Sequence, residues 1–160
     1  MNQTTECYIQ GGDEMIFCRQ IMTPDPAVCD PATTTDVIAR MMRDNDVGPV
    51  PVVDSVENKV LVGLITDRDL AITVVADNKK PSEITANEVM SKVPISCSAD
   101  AEIEELLDLM ETLQLRRIPI VDPDNRIIGI VSQKDIANRL NWPDKTSELL
   151  EQVSKSPQDA

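Results

Sequence analysis

The chain says much the same thing twice, and this repetition constrains its fold more than any other feature. Ile21-Met22-Thr23 reappears 68 positions later as Val89-Met90-Ser91. At the same spacing Pro26 meets Pro94, Cys29 meets Cys97, Met42 meets Met110, and Pro51-Val52-Val53-Asp54 meets Pro119-Ile120-Val121-Asp122. The loop after the aspartate is two residues shorter in the second copy. Gly63-Leu64-Ile65-Thr66 and Asp69-Leu70-Ala71 therefore match Gly129-Ile130-Val131-Ser132 and Asp135-Ile136-Ala137 at a spacing of 66. A unit of about 50 residues is too small to close a core alone, so the copies are expected to pack against each other about a pseudo-twofold axis.

Each copy reads as strand, helix, strand, strand, helix. Ala27-Val28-Cys29 is a short extended piece, and Val37, Ile38, Met41 and Met42 fall on one helical face. Ile103, Leu106, Leu107, Met110 and Leu113 repeat that face at helical spacing. Val50–Val53 and Ile118–Val121 are apolar, β-branched runs ended by an aspartate, as buried strands are. Residues 60–65 and 127–131 supply the third strands, and 67–76 and 133–140 the closing helices. The fold class expected is α/β, an α+β sandwich of two β-α-β-β-α repeats. Boundaries follow: an extension without clear signal (1–18), a first repeat (19–76), a polar connector (77–88) with a capping box at Thr85–Glu88, a second repeat (89–140), and a tail (141–160) with a short helix around Thr146 to Val153.

Charge and composition remove several function classes. Twenty-eight acidic against 15 basic residues leave a net charge of −13, which repels nucleic acid and anionic membranes. No apolar run approaches the ~20 residues that span a bilayer, and no secretory signal opens the chain, so a soluble cytoplasmic protein is expected. Cys7, Cys18, Cys29 and Cys97 lack C-x-x-C spacing and there is no histidine, which points to reduced thiols rather than a zinc site. The commonest general base is absent too, and no nucleophile–base pair is visible; the reading is of a protein that is not an enzyme.

Two turns carry the candidate chemistry: Gly63-Leu-Ile-Thr66-Asp-Arg68-Asp69 and Gly129-Ile-Val-Ser132-Gln-Lys134-Asp135. Thr66 or Ser132 with an aspartate three residues later makes a helix capping box, which alone could explain the pattern. Arg68 and Lys134, however, are cations at a helix start, where the dipole disfavours them unless an anion is present. Free N–H groups, a hydroxyl and a cation suit a phosphate, and the aspartate suits ribose hydroxyls.

The repeat order, the P-V-V-D and P-I-V-D strands and the duplicated G-h-h-[T/S]-x-[R/K]-D turn resemble the CBS-domain family, in the tandem form called a Bateman module. The resemblance covers residues 19 to about 140. It implies two clefts for AMP, ADP or ATP, with S-adenosylmethionine or NAD as possible ligands, and no required cofactor or metal. It further implies crossed clefts: Thr66, Arg68 and Asp69 with Ile95, Arg117 and Pro119, and Ser132, Lys134 and Asp135 with Thr23, Val28, Val47 and Pro49. Ile95, Val28 and Val47 suit the faces of an adenine ring, or are plain core residues. Gly48 and Pro49 stand where the second copy has Arg116 and Arg117, so the clefts are not equivalent. A homodimer is expected, using apolar helix faces such as the stripe Leu106, Leu109, Met110 and Leu113, together with an effector protein of unknown identity. The alternative is a CBS-fold structural or interaction protein that binds no nucleotide.

Overall fold

A computed structural model describes residues 15–92, 94–140 and 151. The tail helix expected around Thr146 to Val153, and Cys7 in the extension, lie outside the described residues apart from Glu151. The elements run α1 (Cys18–Ile21), β1 (Thr23–Pro24), α2 (Thr35–Asn45), β2 (Pro49–Val53), β3 (Leu61–Thr66), α3 (Asp67–Leu70), α4 (Ala86–Val89), β4 (Ser91–Lys92), β5 (Cys97–Ser98), α5 (Ile103–Thr112), β6 (Arg117–Val121), β7 (Ile127–Ser132) and α6 (Gln133–Arg139). Helices and strands mix in the α+β manner expected. The closing helix of the first repeat departs from expectation, because after Leu70 the backbone widens into a π-helical turn over Ala71–Val75. The run Ala-Ile-Thr-Val-Val is poor in strong helix formers, and its β-branched side chains crowd a regular α-turn.

Two compact units emerge, and each takes a piece from the other repeat. Among the described residues, the N-unit comprises those of Asp25–Ser96 and Val121–Ile128, and the C-unit those of Met1–Pro24, Cys97–Ile120 and Gly129–Ala160. Helix α1, at the start of the first repeat, thus belongs with the second, and α4, at the start of the second, belongs with the first. The docking bonds repeat at a spacing of 68. Cys18 N–H donates to the Ala101 carbonyl at 3.0 Å and Arg19 N–H to that of Ala99 at 3.1 Å, while Ala86 N–H donates to Thr33 at 2.8 Å and Asn87 N–H to Pro31 at 3.0 Å.

The N-unit holds the three-stranded sheet β2-β3-β4, with β3 antiparallel to both neighbours. Its core joins Cys29, Ile38, Met42, Val50, Val52, Ile65 and Ala86. All of β2 is buried, as its unbroken apolar run predicts, whereas β3 alternates between buried and half-buried residues. Strands β1-β7-β6-β5 form the second sheet. Around it Ile16, Cys18, Ile21, Ile103, Leu106, Met110, Ile118 and Ile120 are almost fully buried. The stripe expected to serve a dimer is therefore mostly the core face of α5: Leu106 and Met110 are buried, and Leu113 alone of the four is exposed. Each sheet admits its borrowed segment through a glycine. A Cβ at Gly63 would overlap the Met90 side chain, and a Cβ at Gly129 that of Met22.

Candidate functional site

Both T/S-x-x-D turns start at the C-terminal end of a strand whose buried face fixes the direction of the chain. In the N-unit, Pro49 opens β2 directly opposite Thr66, the last residue of β3. Asp67 N–H then donates to the Gly48 carbonyl at 3.0 Å, which turns the chain into α3. In the C-unit the matching bond runs from Gln133 N–H to the Arg116 carbonyl at 3.1 Å.

The capping boxes form in full. Asp69 Oδ2 accepts from Thr66 N–H at 2.7 Å and from Thr66 Oγ1 at 2.6 Å, and Asp69 N–H donates back to Thr66 Oγ1 at 3.3 Å. Ser132 and Asp135 repeat this at 2.8, 2.5 and 3.2 Å. One oxygen of each aspartate is thereby committed to its helix. The other oxygens differ. Thr23 Oγ1 donates to Asp135 Oδ1 at 2.9 Å, and Arg139 approaches the same atom at 3.7 Å. Asp69 Oδ1 has no partner among the described residues.

Arg68, Lys134, Arg116 and Arg117 are exposed and form no ion pair among the described residues. Arg19, Arg40, Arg43, Lys59, Lys79, Lys80, Arg126 and Arg139 by contrast all pair with carboxylates, and Lys92 on β4 is the one other described cation without an ion pair. Four unpaired cations thus stand on or beside the two turns of an acidic chain. Gln133, one position after the Ser132 cap, buries its side-chain nitrogen with no hydrogen-bond partner among the described residues. A buried donor left unsatisfied costs stability, which is why such groups commonly mark a missing acceptor.

The remaining sequence-named residues divide by unit. Val28, Val47, Pro49 and Ile95 belong to the N-unit with Thr66, Arg68 and Asp69; Thr23, Arg117 and Pro119 belong to the C-unit with Ser132, Lys134 and Asp135. Of the expected partners, Thr23 and Asp135 meet directly. Val47 and Ile95 are large apolar residues left 39% and 46% exposed in loops, so they are not core residues. Val28 is half-buried, and Pro49 and Pro119 are buried within their strands. Sequence reasoning missed Arg139, which donates to the carbonyls of Ile21 at 2.9 Å and Met22 at 2.6 Å and so holds the end of α1. It also missed Gln133. Neither residue has a counterpart of its own type in the first copy, so the repeat could not reveal them. Among the described residues no group of three or more cysteine or acidic side chains is placed to hold a metal ion, and no helix is long and apolar enough to cross a membrane.

Comparison with known proteins bears on the family and the fold. The family model described as "CBS domain" matches residues 18–76 and 86–141. The uncharacterized protein MK0525 of Methanopyrus kandleri is 38% identical over 117 residues, 73% of this chain; the match spans 59% of that protein's length. Hypoxic response protein 1 of Mycobacterium tuberculosis is 33% identical over 79% of this chain and 86% of its own. A crystal structure of Hypoxic Response Protein I with two coordinated zinc ions superposes with a TM-score of 0.68 at 33% identity, covering 76% of this chain and 97% of that one. The CBS domain pair of protein MJ0100, crystallised with 5-methylthioadenosine and S-adenosyl-L-methionine, superposes with a TM-score of 0.69 at 27% identity, covering 78% and 94%.

Proposed function

The chain belongs to the CBS domain family, and on that premise we propose that it is a regulatory module whose two T/S-x-x-D turns hold adenosine-containing ligands. The observation that carries this reading is the set of unpaired cations at the turns of a chain with net charge −13. Cations that forgo abundant carboxylates are available to phosphate, and an arginine pairs with phosphate through two parallel hydrogen bonds. Asp69 Oδ1 is free to accept from a ribose hydroxyl, while exposed Val47 and Ile95 offer apolar surface to a purine face. AMP, ADP and ATP fit this chemistry. The adenosyl compounds bound by the MJ0100 domain pair support S-adenosylmethionine as a further candidate, and NAD shares the adenosine half. Thr66, Arg68 and Asp69 in the N-unit and Ser132, Lys134 and Asp135 in the C-unit are the residues that carry this proposal.

Such a module acts by differential affinity. Ligand favours whichever arrangement of the protein binds it better, and a partner protein or a second copy reads the shift. We place the homodimer surface on Ile72 and Val75, which are 53% and 73% exposed, rather than on the α5 stripe. The competing reading is a structural protein of the same fold, and the complete capping boxes favour it, because they account for T-x-x-D without any ligand. Thermal unfolding of the purified protein with AMP, ATP, S-adenosylmethionine and NADH decides between them. Ligand at about 100 times its Kd adds about 2.7 kcal/mol, a rise of several degrees. A melting temperature unmoved by all four at millimolar concentration would leave the structural reading standing.

A further inference from the structure

Cys18 and Cys97 lie 79 positions apart in sequence, yet their sulfurs are 3.9 Å apart and share a hydrogen bond in the interior of the C-unit. Their exposures are 0% and 4%. Cys18 is the first residue of α1, and its backbone and that of Arg19 are already bonded to Ala101 and Ala99. Glu105 adds negative charge nearby. The repeat supplies an internal control. Cys29 occupies in the N-unit the place of Cys97, but Ala86 occupies there the place of Cys18. Cys29 and Ala86 pack in one core, and burial pushes the Cys29 thiol up to about 12. One unit thus has a buried cysteine facing alanine, and the other has two cysteines in contact.

We propose that Cys18 and Cys97 form a redox-modification site, a dithiol that a hydroperoxide converts into a disulfide stapling α1 to the C-unit. With α1 closed, its backbone bonds hold Cys18 against the Ala99–Ala101 segment, so closing the gap to an S–S bond of about 2.0 Å is left to side-chain rotation. The two sulfurs share one hydrogen bond in which either can be the donor, so the first to lose its proton attacks. That thiolate attacks one peroxide oxygen; the O–O bond breaks, water or alcohol leaves, and the cysteine becomes a sulfenic acid. The other cysteine then attacks that sulfur, the S–O bond breaks, and water leaves with the proton of the attacking thiol. Two thiols are oxidised and one peroxide is reduced. Oxidant enters when α1 opens, since a single-turn helix is the kind of element that opens locally at little cost.

The test treats full-length reduced protein with one equivalent of hydrogen peroxide, then alkylates it in denaturant and maps its peptides by mass spectrometry. The expected product joins the Cys18 and Cys97 peptides with loss of two hydrogen atoms, reverts with dithiothreitol, and leaves Cys29 alkylated. Cys18→Ala places in the C-unit the pair that the N-unit already tolerates, so it is expected to fold and to give no cross-link. Oxidation should raise the melting temperature of the wild type and leave that of Cys18→Ala where it was. Alkylation of both Cys18 and Cys97 after peroxide would overturn the proposal. So would a dominant link from either to Cys7, to Cys29 or to a second chain.

Discussion

Asp69 and Asp135 sit in turns of the same sequence pattern with the same caps, yet they differ in the one atom that matters for a ligand. In the N-unit Asp69 leaves Oδ1 without a partner among the described residues, whereas in the C-unit Thr23 occupies that position on Asp135. The residue matching Thr23 is Ser91, which lies on β4 and makes no hydrogen bond to Asp69. Arg139 adds to the difference, because it ties the carbonyls of Ile21 and Met22 to α6, and Thr73 stands at its place in the N-unit. Duplication thus supplied two copies of one cap, and a few side chains on the borrowed segment decided which copy stays open. The lesson is that a repeated motif specifies local geometry, while its availability to a ligand is set by what packs beside it.

The largest expected effect tests how firmly each borrowed segment is held. Valine at Gly129 would drive into Met22, and valine at Gly63 into Met90. Overpacking of this kind costs about 1–3 kcal/mol, and Gly129→Val should lie at the upper end because Arg139 fixes the backbone beside Met22. Urea unfolding measures both, and Met22→Ala should recover part of the loss at Gly129. Equal losses at the two glycines would mean that the Arg139 clamp adds no rigidity.

Next comes the free carboxylate oxygen. Asp69→Ala should weaken AMP binding in calorimetry about thirtyfold, corresponding to about 2 kcal/mol for a charged hydrogen bond. Asp135→Ala should weaken it less, since Thr23 already competes for that oxygen. Conversely, Thr23→Val should strengthen binding at the C-unit turn about fivefold, the worth of about 1 kcal/mol from one neutral competitor removed. If Thr23→Val weakens binding instead, the threonine contacts the ligand rather than blocking it.

The smallest effect separates the caps of the two borrowed helices. Glu88 accepts from Thr85 N–H at 2.8 Å and from Thr85 Oγ1 at 2.9 Å; in α1 Gln20 accepts from Phe17 N–H at 2.6 Å. The bond from the Thr85 backbone, then that from its side chain, holds the Glu88 carboxyl below its ordinary range. A lowered carboxylate stabilises fully above the unfolded pKa of about 4.3, and that stability drains away as pH falls through the folded value. Only the N-unit cap should therefore weaken in acid. Hydrogen exchange of the Ala86–Met90 amides should quicken relative to Cys18–Met22 as pH falls below about 4.3, after correction for intrinsic rates, and Glu88→Gln should abolish the difference.

Much of this was legible without coordinates. The P-V-V-D and P-I-V-D runs became the buried strands β2 and β6, and Thr66-x-x-Asp69, Ser132-x-x-Asp135 and Thr85-x-x-Glu88 all formed capping boxes. These features depend on bonds spanning three or four residues and on short unbroken apolar runs, both of which are local along the chain. The π-helical turn at Ala71–Val75 was not legible, because β-branched runs of that length are compatible with several backbones.

What the sequence determined by itself was the duplication, the alternation of strands and helices, and the chemistry available at each turn. Which partner each helix takes was decided by the tertiary structure. Helices α1 and α4 have four residues each, too short to hold a helical conformation or to encode a partner through their own periodicity. They are placed by long-range bonds to the 99–101 and 31–33 segments, and by glycines that open room for a methionine. That placement brings Cys18 to Cys97, sets Thr23 on Asp135 and leaves Asp69 free, because each contact joins residues whose separation along the chain carries no local signal.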